Sequence, residues 1–342
     1  MSSLRRIWSL VAVLALASPV QADVQLLDWA DLRGWESDDH AVALDVFRET
    51  CRDLKEGDWP TVCALSDGVT NARMYFETFF RPVLIRDGEE PLFTGYYEPE
   101  LSGSRTRSDE YSVPLYRRPE DAPTGRPWLT RAELEDSGIL ENRGLELVWL
   151  KDPVDKFFLQ IQGSGRIKLD DGGRMRVGFG GKNGHPYRSV GRELVRQGIF
   201  EDHQVSAQVI RNWVTENPDA GAKLLQHNPS YVFFREVSQV PPEKGPLGAM
   251  NRSITGGRSV AVDPEFVPLG APVWLEKGGA EPFRRLMMAQ DTGAAINGAQ
   301  RADVFYGSGD EAGEIAGRIR DGGRMVVLYP IEDALALVDA NL

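Results

Sequence analysis

The stretch DTGAAINGAQRADVFYG, residues 291–307, decides how this chain is read. An apolar run, residues 286–289, leads into a carboxylate, Asp291. A small-residue loop follows, with Gly293, Ala294, Ala295 and Gly298. A second carboxylate, Asp303, lies inside another short apolar run, residues 302–306. The spacing suits strand, loop, strand. It predicts two acids on adjacent strand ends, beside a loop too small to cover them. A charged aspartate is costly to bury, so Asp303 is expected to be hydrogen-bonded or used. Burial also raises a carboxyl pKa, which a general acid at neutral pH requires.

Around this stretch the pattern is β-rich. Short apolar runs at residues 258–262, 272–276, 286–290, 302–306 and 324–329 read as strands, and residues 310–320 as one amphipathic helix. Short strands with glycine turns predict a small closed barrel. A proline-rich linker at 240–246 marks a boundary on its upstream side. Before it, residues 40–54 and 69–80 have helical spacing, and 92–97 an aromatic strand. Residues 99–127 read as a polar, proline-rich connection. Residues 145–150, 157–162, 174–179 and 231–234 read as strands, with Asp152-Pro153 as a turn between the first two. Ser189, Ser206 and Asn217-Pro218 each announce a helix.

The first 22 residues read as a leader. Arg5 and Arg6 precede an apolar run at 7–17, too short to span a bilayer comfortably, and Val20-Gln21-Ala22 is an A-x-A-like cleavage site. The expected product is exported and begins at Asp23. No cysteine stands near the cleavage point, so no lipid anchor is expected. Losing the leader removes two arginines and no acid, taking the formal charge from −12 to −14. Such an acidic chain lacks the basic footprint of a nucleic-acid binder but does not exclude a glycan substrate. The 35 glycines and 21 prolines favour turn-rich β structure over a helical bundle. Cys51 and Cys63 are expected to pair in an exported protein, with two buried thiols as the alternative. Neither reading places them in catalysis.

The four histidines, His40, His185, His203 and His227, lack metal-ligand spacing, so no metal is expected. No phosphate-binding or dinucleotide glycine motif occurs, and Gly163-Ser164-Gly165 is not a nucleophile elbow. No cofactor is expected. What remains is carboxylates with aromatics and amides. Asp263 precedes Pro264 and is either a turn aspartate or a third acid of the site. Thr94, Gly95, Tyr96 and Tyr97 form one cluster, and Gln160, Gln162, Gly163, Ser164 and Gly165 another. Tyr187, Ser230, Tyr231, Phe233 and Phe234 add rings and a hydroxyl. Sugars stack on rings and meet amides through their hydroxyls; the competing reading is that the rings are core, as expected for Phe158 and Phe234. Tyr96 and Tyr97, as neighbours on a strand, face opposite ways.

Asp263-Pro264, Val267-Pro268-Leu269-Gly270, Asp291-Thr292-Gly293 and Ala302-Asp303-Val304-Phe305 together resemble the three-aspartate ("3D") domain. Residues 93–97, 160–165 and 228–234 are similar to the insert domain of the MltA family of lytic transglycosylases. The resemblance implies a mainly β fold with helices. Two domains flank a groove: a larger double-psi β-barrel domain, residues 23–98 plus 239–342, and a smaller β-rich insert domain for glycan binding, residues 99–238. It implies non-hydrolytic cleavage of the MurNAc-β-1,4-GlcNAc bond of peptidoglycan, with a 1,6-anhydroMurNAc end. Asp303 matches the family's catalytic aspartate and Asp291 its neighbour, with Asp263 a structural carboxylate. The clusters from Thr94 to Tyr97 and Gln160 to Gly165, with Tyr187, Ser230, Tyr231 and Gly293, are the expected glycan contacts. The partners expected are peptidoglycan strands and cell-wall synthesis or division proteins, for a monomer in the periplasm at the outer membrane or sacculus. Two departures stand out: the family's lipobox cysteine is absent, and Gly293-Ala294-Ala295 lacks a second glycine. Competing readings are a hydrolytic muramidase and a non-catalytic peptidoglycan-binding protein.

Overall fold

The structure, a computed structural model, describes residues 22–241 and 243–340. The expected leader, apart from Ala22, lies outside the described residues.

The chain begins with β1 (Asp23–Leu26), α1 (His40–Thr50), α2 (Trp59–Ala64), α3 (Ala72–Phe79), β2 (Phe80–Arg86) and β3 (Leu92–Glu98). Next come β4 (Glu100–Ser104), β5 (Val113–Tyr116), α4 (Arg131–Asp136), β6 (Glu146–Leu150), α5 (Pro153–Gln162), β7 (Gly165–Leu169) and β8 (Arg174–Lys182). Helices α6 (Val190–Arg196), α7 (Ala207–Glu216) and α8 (Pro218–Gln226) lead to β9 (Val232–Glu236). The last third holds β10 (Ser259–Val262), β11 (Pro272–Lys277), β12 (Phe283–Asp291), β13 (Arg301–Ser308), α9 (Asp310–Ala316), β14 (Arg320–Asp321), β15 (Gly323–Pro330) and α10 (Ile331–Asp339).

These strands form two sheets. Nine make a nearly closed barrel sheet in the order β1-β2-β15-β11-β12-β10-β13-β3-β14. Most neighbours are antiparallel, but β10 runs parallel to β12, and β13 parallel to β3. Six make the second sheet, ordered β5-β6-β4-β7-β8-β9. The chain passes from the first sheet to the second across Pro99 and returns after β9. Strand β11 is buried along its whole length, and β12 from Leu286 to Gln290, so these strands read as apolar runs without alternation. Helix α1 packs against β12, and Phe47, Trp59, Tyr75 and Phe76 of α1, α2 and α3 meet Phe80 of β2 in an aromatic cluster. Cys51 and Cys63 form a disulfide that joins the end of α1 to α2.

The structure corrects four local expectations. Residues 157–162 are not a strand but the end of α5. Asp152 is the helix cap, accepting from the Val154 N–H at 2.7 Å, Pro153 fills the first helical position, and Gly163 ends the helix at φ 77°. The stretch 99–127 is not merely a connection, since it supplies β4 and β5. Helix α9 stops at Ala316, and Arg320–Asp321 pairs with β3 instead. The two acids are not on adjacent strands, because β10 runs between β12 and β13. Replacing Asp152 with alanine is expected to cost about 1 kcal/mol in urea unfolding. An unchanged midpoint would show that the cap does not stabilise α5.

Candidate active site

The register across the barrel sheet sets out the site. Ala261 of β10 pairs with Asp303 on one side and, past a bulge, with Asp291 on the other. Asp303 in turn stands beside Thr94 of β3. Asp291 and Asp303 are thus two strands apart, with the small Ala261 between them. On β3, Thr94 and Tyr96 share one face, as alternate strand residues must. Their hydroxyls go to different acids. Thr94 Oγ1 donates to Asp303 Oδ1 at 2.7 Å, and Tyr96 Oη donates to Asp291 Oδ2 at 2.8 Å. Gly95 sits between them because nothing larger fits: a Cβ there would lie 2.8 Å from both the Ala316 Cα and the Tyr306 ring.

The two carboxylates have different surroundings. Burial pushes the Asp303 carboxyl up to about 6; the Thr94 hydrogen bond and the Arg301 charge pull it part of the way back, while Asp291 adds to the rise. Asp291 is also raised by burial, but three donors oppose this. Besides Tyr96, the N–H groups of Ala249 and Thr292 donate to its Oδ1 at 3.0 and 2.9 Å. Gly248 makes the first of these possible. A Cβ there would lie 2.6 Å from the Gln290 carbonyl oxygen, so only glycine lets the loop approach this closely. Burial, the Asp291 charge and its hydrogen bond hold the Tyr96 phenol well above its ordinary range, so it remains a donor.

The other expected site residues divide into two groups. Tyr97 donates its N–H to Gln162 Oε1 at 3.3 Å, joining β3 to the end of α5. Ser164 and Ser230 are half-buried, while Tyr187 and Gly293 are exposed. Gly163 is the left-handed cap of α5. By contrast, Gln160 is buried and donates to the Val232 carbonyl at 2.8 Å. Gly165 is packed under the Leu159 side chain at the start of β7. Tyr231 is only 1% exposed, with the Arg131 and Lys156 cations over its ring and Phe233 beside it. Gln160, Gly165 and Tyr231 are packing residues here, not surface for a sugar. Asp263 makes no hydrogen bond to either acid. Its carboxylate accepts from the Glu265 and Gly298 N–H groups at 3.0 and 2.7 Å, fixing the loop before β13. Sequence reading missed Arg301, Ala249 and Ala261. Arg301 lies within the deciding stretch, but backbone donors and a spacer alanine leave no side-chain signature. Among the described residues, no group of three or more His, Cys, Asp or Glu is placed to hold a metal ion. No described helix is long and apolar enough to cross a membrane.

Two family models match this chain: the MltA specific insert domain over residues 92–235 and the 3D domain over residues 258–329. The solved lytic transglycosylase LtgG of Burkholderia pseudomallei is 42% identical, with a TM-score of 0.61, over 92% of this chain and 96% of that one. The chain belongs to the MltA family. MltA from Neisseria gonorrhoeae is 32% identical with a TM-score of 0.79, over 92% and 94% of the two chains. A structure of Escherichia coli MltA with bound chitohexaose is 28% identical with a TM-score of 0.73, over 92% and 95%. Membrane-bound lytic murein transglycosylase A of E. coli strain K12 is 36% identical over 246 residues, 69% of this chain. The match spans 65% of that relative's length. The barrel sheet and the second β domain are the fold of this MltA family, and Asp291 and Asp303 both fall in its 3D part.

Proposed function

We propose that this MltA-family chain is a lytic transglycosylase of peptidoglycan. It would cleave the MurNAc-β-1,4-GlcNAc bond without water and leave a 1,6-anhydroMurNAc end. The observation that supports this most is the contrast between the acids: Asp303 is pushed up to about 6, while Asp291 is surrounded by three donors. A carboxyl so raised can start protonated near neutral pH and give its proton away. Asp303 protonates the leaving O4. The positive charge that builds on the sugar is met by Asp291, whose ionised form the three donors favour against burial. The C6 hydroxyl of the same sugar then attacks C1, and Asp303, now a base, takes its proton. Ordinary glycosidases need a second carboxylate as nucleophile or water-activating base. Intramolecular attack has a large effective molarity and removes that need.

The names of the relatives support this reading, as does chitohexaose bound to the E. coli family member. A glycan strand would lie across the face that carries the two aspartates, with the Tyr97–Gln162 junction towards the insert. The expected setting is the periplasm, on the sacculus. Incubation of the mature protein with purified sacculi, followed by mass spectrometry, tests the proposal. The expected products are muropeptides one water lighter than hydrolytic ones. Reducing MurNAc ends would make the protein a muramidase, and binding without products would make it a glycan-binding module.

A further inference from the structure

Arg301 stands two residues before Asp303 on β13, so both side chains share one face. Its Nη2 donates to Thr94 Oγ1 at 3.0 Å, and Thr94 Oγ1 donates onward to Asp303 Oδ1 at 2.7 Å. The direction of this chain of bonds is fixed by chemistry. A guanidinium has donors only, so the Thr94 oxygen must accept from it. The described residues offer the single hydroxyl hydrogen one acceptor, Asp303 Oδ1. A proton on Oδ1 would face that hydrogen, so the neutral acid must carry its proton on Oδ2. Among the described residues Oδ2 has no hydrogen-bond partner, and it is not one of the sealed, unpaired buried atoms. Arg301 is itself pinned: Nη1 donates to the carbonyls of Leu92 at 3.1 Å and Ala302 at 2.6 Å.

We propose that Arg301 is a positioning residue that, through Thr94, locks Asp303 with Oδ1 as a permanent acceptor and Oδ2 as the oxygen that delivers the catalytic proton. This rests on the reading of Asp303 as the proton carrier. The charged and titratable groups facing Asp303 are Arg301 on its own strand, Asp291 at the end of β12, Tyr96 on β3 and Tyr306 further along β13. Of these, Arg301 is the cation; it and the Thr94 hydrogen bond favour the charged form. Removing either therefore moves the Asp303 titration upward.

The test combines turnover on sacculi across pH with an NMR titration of the aspartate carboxyl carbons. The variants are Arg301→Gln, Arg301→Lys, Thr94→Val, Thr94→Ser and the Arg301→Gln/Thr94→Val double. Thr94→Val should lower kcat about tenfold with KM little changed. It should also raise the Asp303 titration by about half a unit or more. Thr94→Ser keeps the hydroxyl and should restore both. Arg301→Gln should do the same as Thr94→Val, with partial rescue by Arg301→Lys. Because the arginine acts through the threonine, the double variant should lose little more than Thr94→Val alone. Multiplying losses, or an Asp303 titration that neither Thr94→Val nor Arg301→Gln moves, would overturn the proposal. Should Arg301→Gln not fold, the Thr94→Val and Thr94→Ser pair decides it. Full turnover in Asp303→Asn would instead defeat the catalytic reading, while the carboxyl titration would still report on the relay.

Discussion

Asp303→Asn is expected to lose about a thousandfold or more in turnover while becoming more stable near neutral pH. The first effect follows from losing the only group assigned to carry the proton in both directions. The second follows from burial. The folded protein holds the Asp303 carboxyl at about 6, against an ordinary 3.8, so the native state binds this proton more tightly than the unfolded chain does. The stability this contributes is complete below about pH 4 and is lost as the pH rises through about 6. Asparagine has no charge to desolvate and escapes that loss. The gain should be on the order of 3 kcal/mol near neutral pH and should vanish below about pH 4. The same titration predicts that turnover of the unaltered protein falls as the pH rises above about 6, because Asp303 must begin protonated. Thermal unfolding of both proteins at the two pH values checks this. A stability difference independent of pH would mean that Asp303 is not held as a neutral acid.

The second large effect is expected at Glu98, where β3 leaves the barrel sheet. Its side chain is fully buried. It accepts from Arg166 Nε at 2.8 Å and from Ser308 Oγ at 2.7 Å, and pairs with Arg176 Nε at 2.8 Å. Arg166 and Arg176 belong to the second sheet, and both also donate to the Lys244 carbonyl in the returning linker. Glu98→Ala would leave the guanidinium of Arg176, itself buried, without its carboxylate. Breaking a buried pair from one side costs about 3–5 kcal/mol. The same variant should lose turnover, since the neighbouring Tyr97 N–H makes the bond to Gln162 that joins β3 to the end of α5. Urea unfolding measures the first effect; a loss under about 1 kcal/mol would show that the Lys244 carbonyl and solvent satisfy both arginines.

The strand-loop-strand reading of residues 291–307 matched the structure because its evidence is local: two apolar runs on either side of small residues. Their adjacency was misread, because nothing near Asp291 says that Ser259–Val262, some thirty residues earlier, will slot between them. The FFLQIQ run looked like a strand because its density of aromatic and apolar residues suits both periods. The signal that decided it was Asp152-Pro153, whose turn chemistry and helix-start chemistry are the same residues. At the site, the acids were legible as acids, and Thr94 to Tyr97 as a separate cluster of sugar contacts. What each hydroxyl touches was not: Thr94 was read as a sugar contact, yet it holds Asp303, and Tyr96 holds Asp291. Tyr231 carried the same ring signature as Tyr96 and is buried between two cations. Its burial depends on Arg131 and Lys156 from α4 and α5, and no periodicity encodes that.

Digestion of sacculi in water enriched in the heavy oxygen isotope tests the central claim most directly. If Asp303 drives attack by the sugar's own C6 hydroxyl, no solvent oxygen enters the new MurNAc end, and its mass is the same in both waters. A heavy oxygen at that end would mean that water attacked, and would contradict the account.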